Sequence, residues 1–232
     1  SSGSAPCPAL AGEGWGEGAA INIDSASHVP PVLTKTWFHT GAYIDRHHVS
    51  NYFAGLLDVN DRGEYYREPG MTDAQARQLL LDDTVLPGAL TDKEEREASR
   101  ALKGSMLRQE IYALDGTDKE PHPYSVTEQN FTIRRVQPEG TNRYAVFFAH
   151  PRESIGYHYE RVPGDPRIAH SFTLEVDEFG NVLKSAAVGY GRRQVDLALD
   201  PRDQAKQGEI HITYGENSVT NPVGTADDYR TP

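Results

Sequence analysis

Nine histidines are the first residues in this sequence that could do chemistry. His39, His47 and His48 fall close to Asp45, and imidazole with carboxylate suits zinc or iron. The spacing does not support a metal. His47 and His48 are adjacent, which on a strand sends them to opposite faces, and the chain has no His-x-x-x-His or His-x-x-Glu-His. The stretch from Asp58 carries Asp58, Asn60 and Gly63 much as a calcium loop does. Arg62, however, takes the place of a ligand and Pro69 that of the closing glutamate, so a β-turn is the simpler reading.

Nucleophiles fare no better. Ser105 lies in Gly104-Ser105-Met106 rather than a G-x-S-x-G elbow, and the single cysteine, Cys7, stands in a small-residue leader without an ordered partner. Paired carboxylates occur at Asp82-Asp83, Glu94-Glu95 and Asp227-Asp228, at helix ends, a helix face or a tail, where acids are ordinary. The glycines of GYGRR (189–193) and GEG (12–14) are too few to cradle a phosphate, and no Walker motif exists. The residues therefore offer no catalytic, metal or cofactor-binding set, and a non-enzymatic protein without cofactors is expected.

The elements that would hold these residues follow from composition and period. The 232 residues carry a formal charge of −11, which repels a phosphate backbone; Arg134-Arg135 and Arg192-Arg193 are the only adjacent basic pairs, and nucleic-acid binding is disfavoured. Hydrophobic residues make up 37%, with 12 Tyr, 7 Phe and 2 Trp, enough to bury a core, while 21 Gly and 15 Pro demand frequent turns. One cysteine excludes a disulfide framework. No run of apolar residues is long enough to span a bilayer, so direct membrane insertion is not expected. The first residues lack the form of a signal peptide, so any export signal lies elsewhere. A start at Ser suggests a piece of something longer.

Residues 1–20 have no period and read as a flexible leader, with Trp15 the one potential anchor. Val32, Thr34, Thr36 and Phe38 alternate with Leu33, Lys35 and Trp37 after a Pro-Pro corner, which predicts a strand. Thr72 with Gln75, and Thr91 with Glu94, fit the capping box and predict two helices, about 73–81 and 92–108. The second keeps Ala98, Ala101, Leu102, Ser105 and Met106 at 3–4 spacing. The pair reads as a helical insertion, near 72–110, laid on a sheet.

From residue 110 to 193, short alternating runs separated by turns predict five or six strands in an antiparallel meander. PRES (151–154) is read as one of the turns. Phe131 and Ile133, and later Phe172, Leu174 and Val176, are expected on a buried face, with polar residues opposite. Residues 21–199 are taken as one mainly β (α+β) region and 200–232 as a C-terminal strand and tail.

The most specific local signal is LEVDEFGNVLKSAAVGYG (174–191), two strands around Asp177, Gly180 and Asn181. The glycine supplies positive φ, and Asp and Asn are expected to bond their own backbone. The hairpin resembles the Tyr-Asp-x-x-Gly-x-Leu repeat of Rhs-type proteins, with Val176 at the Tyr position and Leu183 at the Leu. Such repeats coil into a β-shell, since each hairpin buries its face only beside neighbours.

A wider resemblance rests on VPPVLTKTWFHTGAY (29–43), EEREASRALKGSMLRQEIYALDGT (94–117), PYSVTEQNFTIRR (123–135), VFFAHPRESIGYHYER (146–161) and DPRIAHSFTLEVDEFGNVLKSAAVGYGRR (165–193), with DDYRTP near the end. These blocks resemble the middle/C-terminal region of the B component of bacterial insecticidal toxin complexes, the TcdB/SpvB-related family. The resemblance implies a wall segment of a secreted, hollow β-shell built with a C component around a cytotoxic effector. The A-component channel is met through other parts of the B chain. The family's self-cleaving aspartate belongs to the C component, so no catalytic residue carries over. Two other readings stay open: a carbohydrate- or receptor-binding β module using exposed Tyr and Trp37, and a metal-dependent hydrolase using His39, Asp45, His47 or His48.

Overall fold

The computed structural model describes residues 30–50, 64–225 and 227–232. The leader with Cys7 and Trp15, and the Asp58–Gly63 stretch, lie outside the described residues. The strand predicted after the Pro-Pro corner is β1 (Val32–Phe38). The two capped helices are α1 (Asp73–Gln78) and α2 (Asp92–Arg100). Then come β2 (Met106–Ala113), β3 (Ser125–Gln137), β4 (Val146–His158), β5 (Arg167–Val176), β6 (Val182–Gly189), α3 (Pro201–Gln207) and β7 (His211–Glu216). A small antiparallel pair, β8 (Val223–Gly224) and β9 (Tyr229–Arg230), follows β7.

Seven strands form one sheet in sequence order, β1 to β7, and every ladder is antiparallel. The meander is therefore mainly β, with the helices added to it. β7, although beyond residue 200, pairs with β6 and belongs to the same sheet.

Four sequence expectations change. The second helix stops at Arg100: a turn over 101–104 carries Leu102 and Lys103, Gly104 takes φ 85°, and the Ser105 carbonyl accepts the His39 N–H at 2.9 Å. That places Ser105 in a turn and Met106 on β2, four residues before the strand expected at Glu110. PRES is not a turn. β4 runs through it, and the register slips between Asn130 and Phe131, leaving Arg152 as the extra residue of a bulge opposite β3. A bulge is where a strand can hold a proline such as Pro151, which has no N–H to give. Asn130 fills the gap, its side-chain oxygen accepting the Glu153 N–H at 2.9 Å and its amide donating to the Asp82 carbonyl at 2.9 Å.

The third change is on β5. Phe131 and Ile133 are buried as expected, but Leu174 is 54% exposed and Phe172 and Val176 are only half-buried. The cover lies over β2–β4. Ala98 and Leu102 from α2 and its end pack with Val49, Leu86, Phe131 and Ile133, while Leu81 packs with Val126, Ile155, Tyr157 and Tyr159; among the described residues these clusters reach β5 at Ile168 alone. Fourth, α3 stands where only a strand and tail were read. Asp200 caps it, accepting the Arg202 N–H at 2.9 Å, and Pro201 occupies its first turn.

The stretch before α2 also repairs an open edge. Where β2 has ended, Val85 donates to the Phe131 carbonyl and accepts from the Ile133 N–H, both at 2.9 Å, in a short parallel bridge alongside β3.

Candidate functional site: the β5–β6 turn and the charges beneath the cover

Asp177 organises the turn between β5 and β6. Its carboxylate accepts the Phe179 N–H at 2.9 Å and the Asn181 N–H at 2.8 Å, and its own N–H reaches the Asn181 carbonyl at 3.0 Å. Asn181 does not bond its own backbone as expected; its amide donates to Asp177 at 2.9 Å. Held by that amide and by backbone N–H groups, the Asp177 carboxyl lies below its ordinary range. Gly180 has φ 95°, and a Cβ there would also come within 2.8 Å of the Phe148 ring. Beside it, Arg134 of β3 donates to the carbonyls of Asp177 and Glu178 at 3.1 and 2.7 Å and lies over Phe148. The turn is thus docked on two earlier strands, through contacts between residues more than thirty positions apart.

The capping threonines sit at the helix starts. Thr72 accepts the Gln75 N–H at 3.3 Å while the Gln75 side chain accepts the Thr72 N–H at 2.9 Å. Thr91 and Glu94 repeat this at 3.2 and 3.1 Å. Glu94 also takes Arg135 and the Glu139 N–H, which ties the start of α2 to the end of β3.

The charges that the sequence did not single out lie under the cover. Arg108 Nε is 2.8 Å from Glu110 and its Nη1 is 2.7 Å from Glu128, with all three side chains buried. Tyr112 Oη and the Tyr66 N–H donate to Glu110 at 2.5 and 2.8 Å, and the Leu81 N–H donates to Glu128 at 2.7 Å. The Tyr65 ring covers the guanidinium. Nearby, Glu68 accepts Tyr159 Oη at 2.8 Å and Arg193 Nη1 at 2.9 Å. Two carboxylates share one guanidinium, and burial outweighs the pull of Arg108, so the Glu128 carboxyl is raised. A signal was present: Arg108, Glu110 and Glu128 fall in phase with Tyr112 and Val126, on the positions that alternation assigns to the buried face.

The other candidates have structural partners. His48 Nδ1 is 2.7 Å from Asp45, and the His47 N–H donates to the same carboxylate at 2.7 Å. His39 is buried edge-on against Phe131. Among the described residues no three His, Cys, Asp or Glu side chains gather as a metal site would require. Asp83 accepts the N–H groups of Val49, Ser50 and Thr84. Glu95 takes Tyr43 and Arg46, and the Asp228 carbonyl accepts the Thr225 N–H at 2.9 Å. In GYGRR, a Cβ on Gly191 would lie 2.3 Å from the Gly208 carbonyl, Arg192 pairs with Asp165, and Arg193 pairs with Glu68. This glycine lets α3 approach the end of β6.

This sheet, its helical cover and its turns match known proteins. The family described as insecticide toxin TcdB middle/C-terminal region matches residues 97–230. The chain belongs to this family. A crystal structure of TcdB2-TccC3 without the hypervariable C-terminal region is 28% identical, with a TM-score of 0.64, over 88% of this chain and 10% of the other. A second TcdB2-TccC3 crystal structure is 29% identical, with a TM-score of 0.60, over 83% and 9%. A Tc holotoxin pore from Photorhabdus luminescens, carrying a TccC3 substitution, is 28% identical, with a TM-score of 0.60, over 85% and 9%. The chain spans about a tenth of the length of these structures' chains. No curated protein matches it. The seven-stranded meander is the β-shell fold of the TcdB2 structures, and the chain is a structural segment of a toxin-complex B component.

Proposed function

We propose that this TcdB-family segment is a stretch of wall in a hollow, secreted β-shell that, with a C component, encloses a cytotoxic effector and helps deliver it into host cells. The C component is its partner, the A-component channel is met through other parts of the B chain, and the wall itself turns over no substrate. The Asp177–Asn181 hairpin is read as a degenerate Rhs/YD repeat within that wall. The observation that carries the reading is the fit of 88% of the chain to a TcdB2-TccC3 structure. The sheet agrees with it. Among the described residues, β1 and β7 each have a partner strand on one side only, and Ile212 and Tyr214 on β7 are 69% and 56% exposed. Edges of this kind are satisfied by neighbouring strands.

Limited proteolysis and thermal unfolding of the chain, alone and in the complete B plus C assembly, test this. Loose structure alone and protection in the assembly support a wall segment. Cooperative, protease-resistant monomers that behave identically in both settings overturn it.

A glycan-binding reading has one observation in its favour, an open cleft of about 740 Å³ lined by Tyr65, Tyr66, Tyr112 and Lys35, among others. Saturable glycan binding by the chain, lost on Tyr112→Ala, would favour it over the wall.

A further inference from the structure

His39 stands where four pieces of the chain meet. It follows β1, and its N–H and carbonyl clamp Ser105 and Gly104, both at 2.9 Å, at the start of β2. Its ring is 5.6 Å from that of Phe131 on β3, edge to face. Val49 of the 45–50 loop lines the same small cavity as the ring, and its backbone favours the protonated form. The His39 Nε2 is buried without a partner, and the residue is 6% exposed. The adjoining cavity, lined by Thr40, Ser50, Ser99 and Leu107 among others, is about 10 Å³, the room of one water at most.

We infer that this corner is an acid-sensitive latch: neutral His39 holds the end of β1 to α2, β2 and the 45–50 loop, and protonation of its ring releases them. An imidazolium here carries a second N–H that meets no acceptor, in a space that cannot hydrate a charge. The charged groups on the surrounding elements do not answer it. Glu95 of α2 is engaged by Tyr43 and Arg46, and Asp45 by His47 and His48. Arg100 and Lys103, packed against Gly41, are cations. Arg108 on β2 is committed to Glu110 and Glu128. Asp83 does favour the cation, but its oxygens already accept the Val49, Ser50 and Thr84 N–H groups.

Burial accordingly holds the ring's pKa below the ordinary 6.5. Between the folded and unfolded values the unfolded corner binds a proton that the folded one refuses. The latch is therefore fully closed above about pH 6.5 and weakens as the pH falls toward the folded value.

Hydrogen–deuterium exchange on the complete B chain, with labelling times scaled for intrinsic exchange, reads the latch in peptides covering 39–50 and 99–107. Between pH 7.5 and 5.5, a window that reaches one unit below the unfolded midpoint, their opening should increase by up to about tenfold. His39→Asn, which keeps a polar side chain of similar reach and cannot be protonated, should abolish that increase and leave peptides from β6 and β7 unchanged. An undiminished increase in His39→Asn overturns the latch. Should that variant misfold, exchange of the His39 ring C2 hydrogen against pH in the unaltered chain decides: a midpoint below 6.5 supports the latch, and one at or above it overturns it.

Discussion

Arg108 and Glu128 face each other in register across β2 and β3, their side chains 6% and 8% exposed and Nη1 2.7 Å from the carboxylate. Glu110 shares the same guanidinium, so one buried cation serves two buried carboxylates. Replacing Arg108 with Met leaves two buried carboxylates without their cation. We expect a loss of about 3–5 kcal/mol in a denaturant titration. Glu128→Gln removes the excess negative charge and keeps an acceptor for the Leu81 N–H, so its cost should be clearly smaller. Equal losses in the two variants would contradict the shared-cation arrangement.

The β5–β6 turn makes a second prediction. Gly180→Val puts a β-branched residue at φ 95° and a methine against Phe148, while Gly180→Ala keeps only the Cβ. Strain of this kind costs about 1–3 kcal/mol. Thermal unfolding should rank wild type above Ala and Ala above Val. An unchanged melting temperature in Gly180→Val would mean that the turn is formed differently.

Thr91→Ala removes the acceptor of the Glu94 N–H at the start of α2 and should cost about 1 kcal/mol, read as a lower denaturant midpoint with an unchanged slope. Thr91→Ser keeps the oxygen and should restore most of it.

Asp115 and Arg161 give a pH-dependent prediction. Arg161 makes two bonds to the Asp115 carboxylate, at 2.7 and 2.9 Å, and with Thr117 holds that carboxyl well below its usual 3.8. For a carboxyl lowered on folding, the stabilisation is complete above the unfolded value and is lost as the pH falls below about 3.8 toward the folded one. The wild-type protein should therefore lose stability over that acid range more steeply than Arg161→Gln. Parallel acid profiles would show that the pair contributes nothing.

Local patterns were legible in the sequence because they depend on neighbours along the chain. The capping boxes at Thr72 and Thr91, the strand at Val32–Phe38, the Asp177–Asn181 turn and the antiparallel meander each follow from spacing of 2 to 4 residues or from alternation. The family blocks were legible for a related reason, since they keep residue types in a fixed order. What tertiary structure decided is which of two alternating faces receives a cover. Phe131 and Leu174 have similar sequence surroundings, yet the cover from α2 and residues 81–86 reaches β3 and leaves Leu174 exposed. The bulge at Pro151, the early end of α2 at the His39 clamp, and the gathering of Arg108, Glu110 and Glu128 around one guanidinium also needed partners from distant segments. Short-range spacing fixes elements, whereas burial and charge pairing depend on which elements are brought together in space.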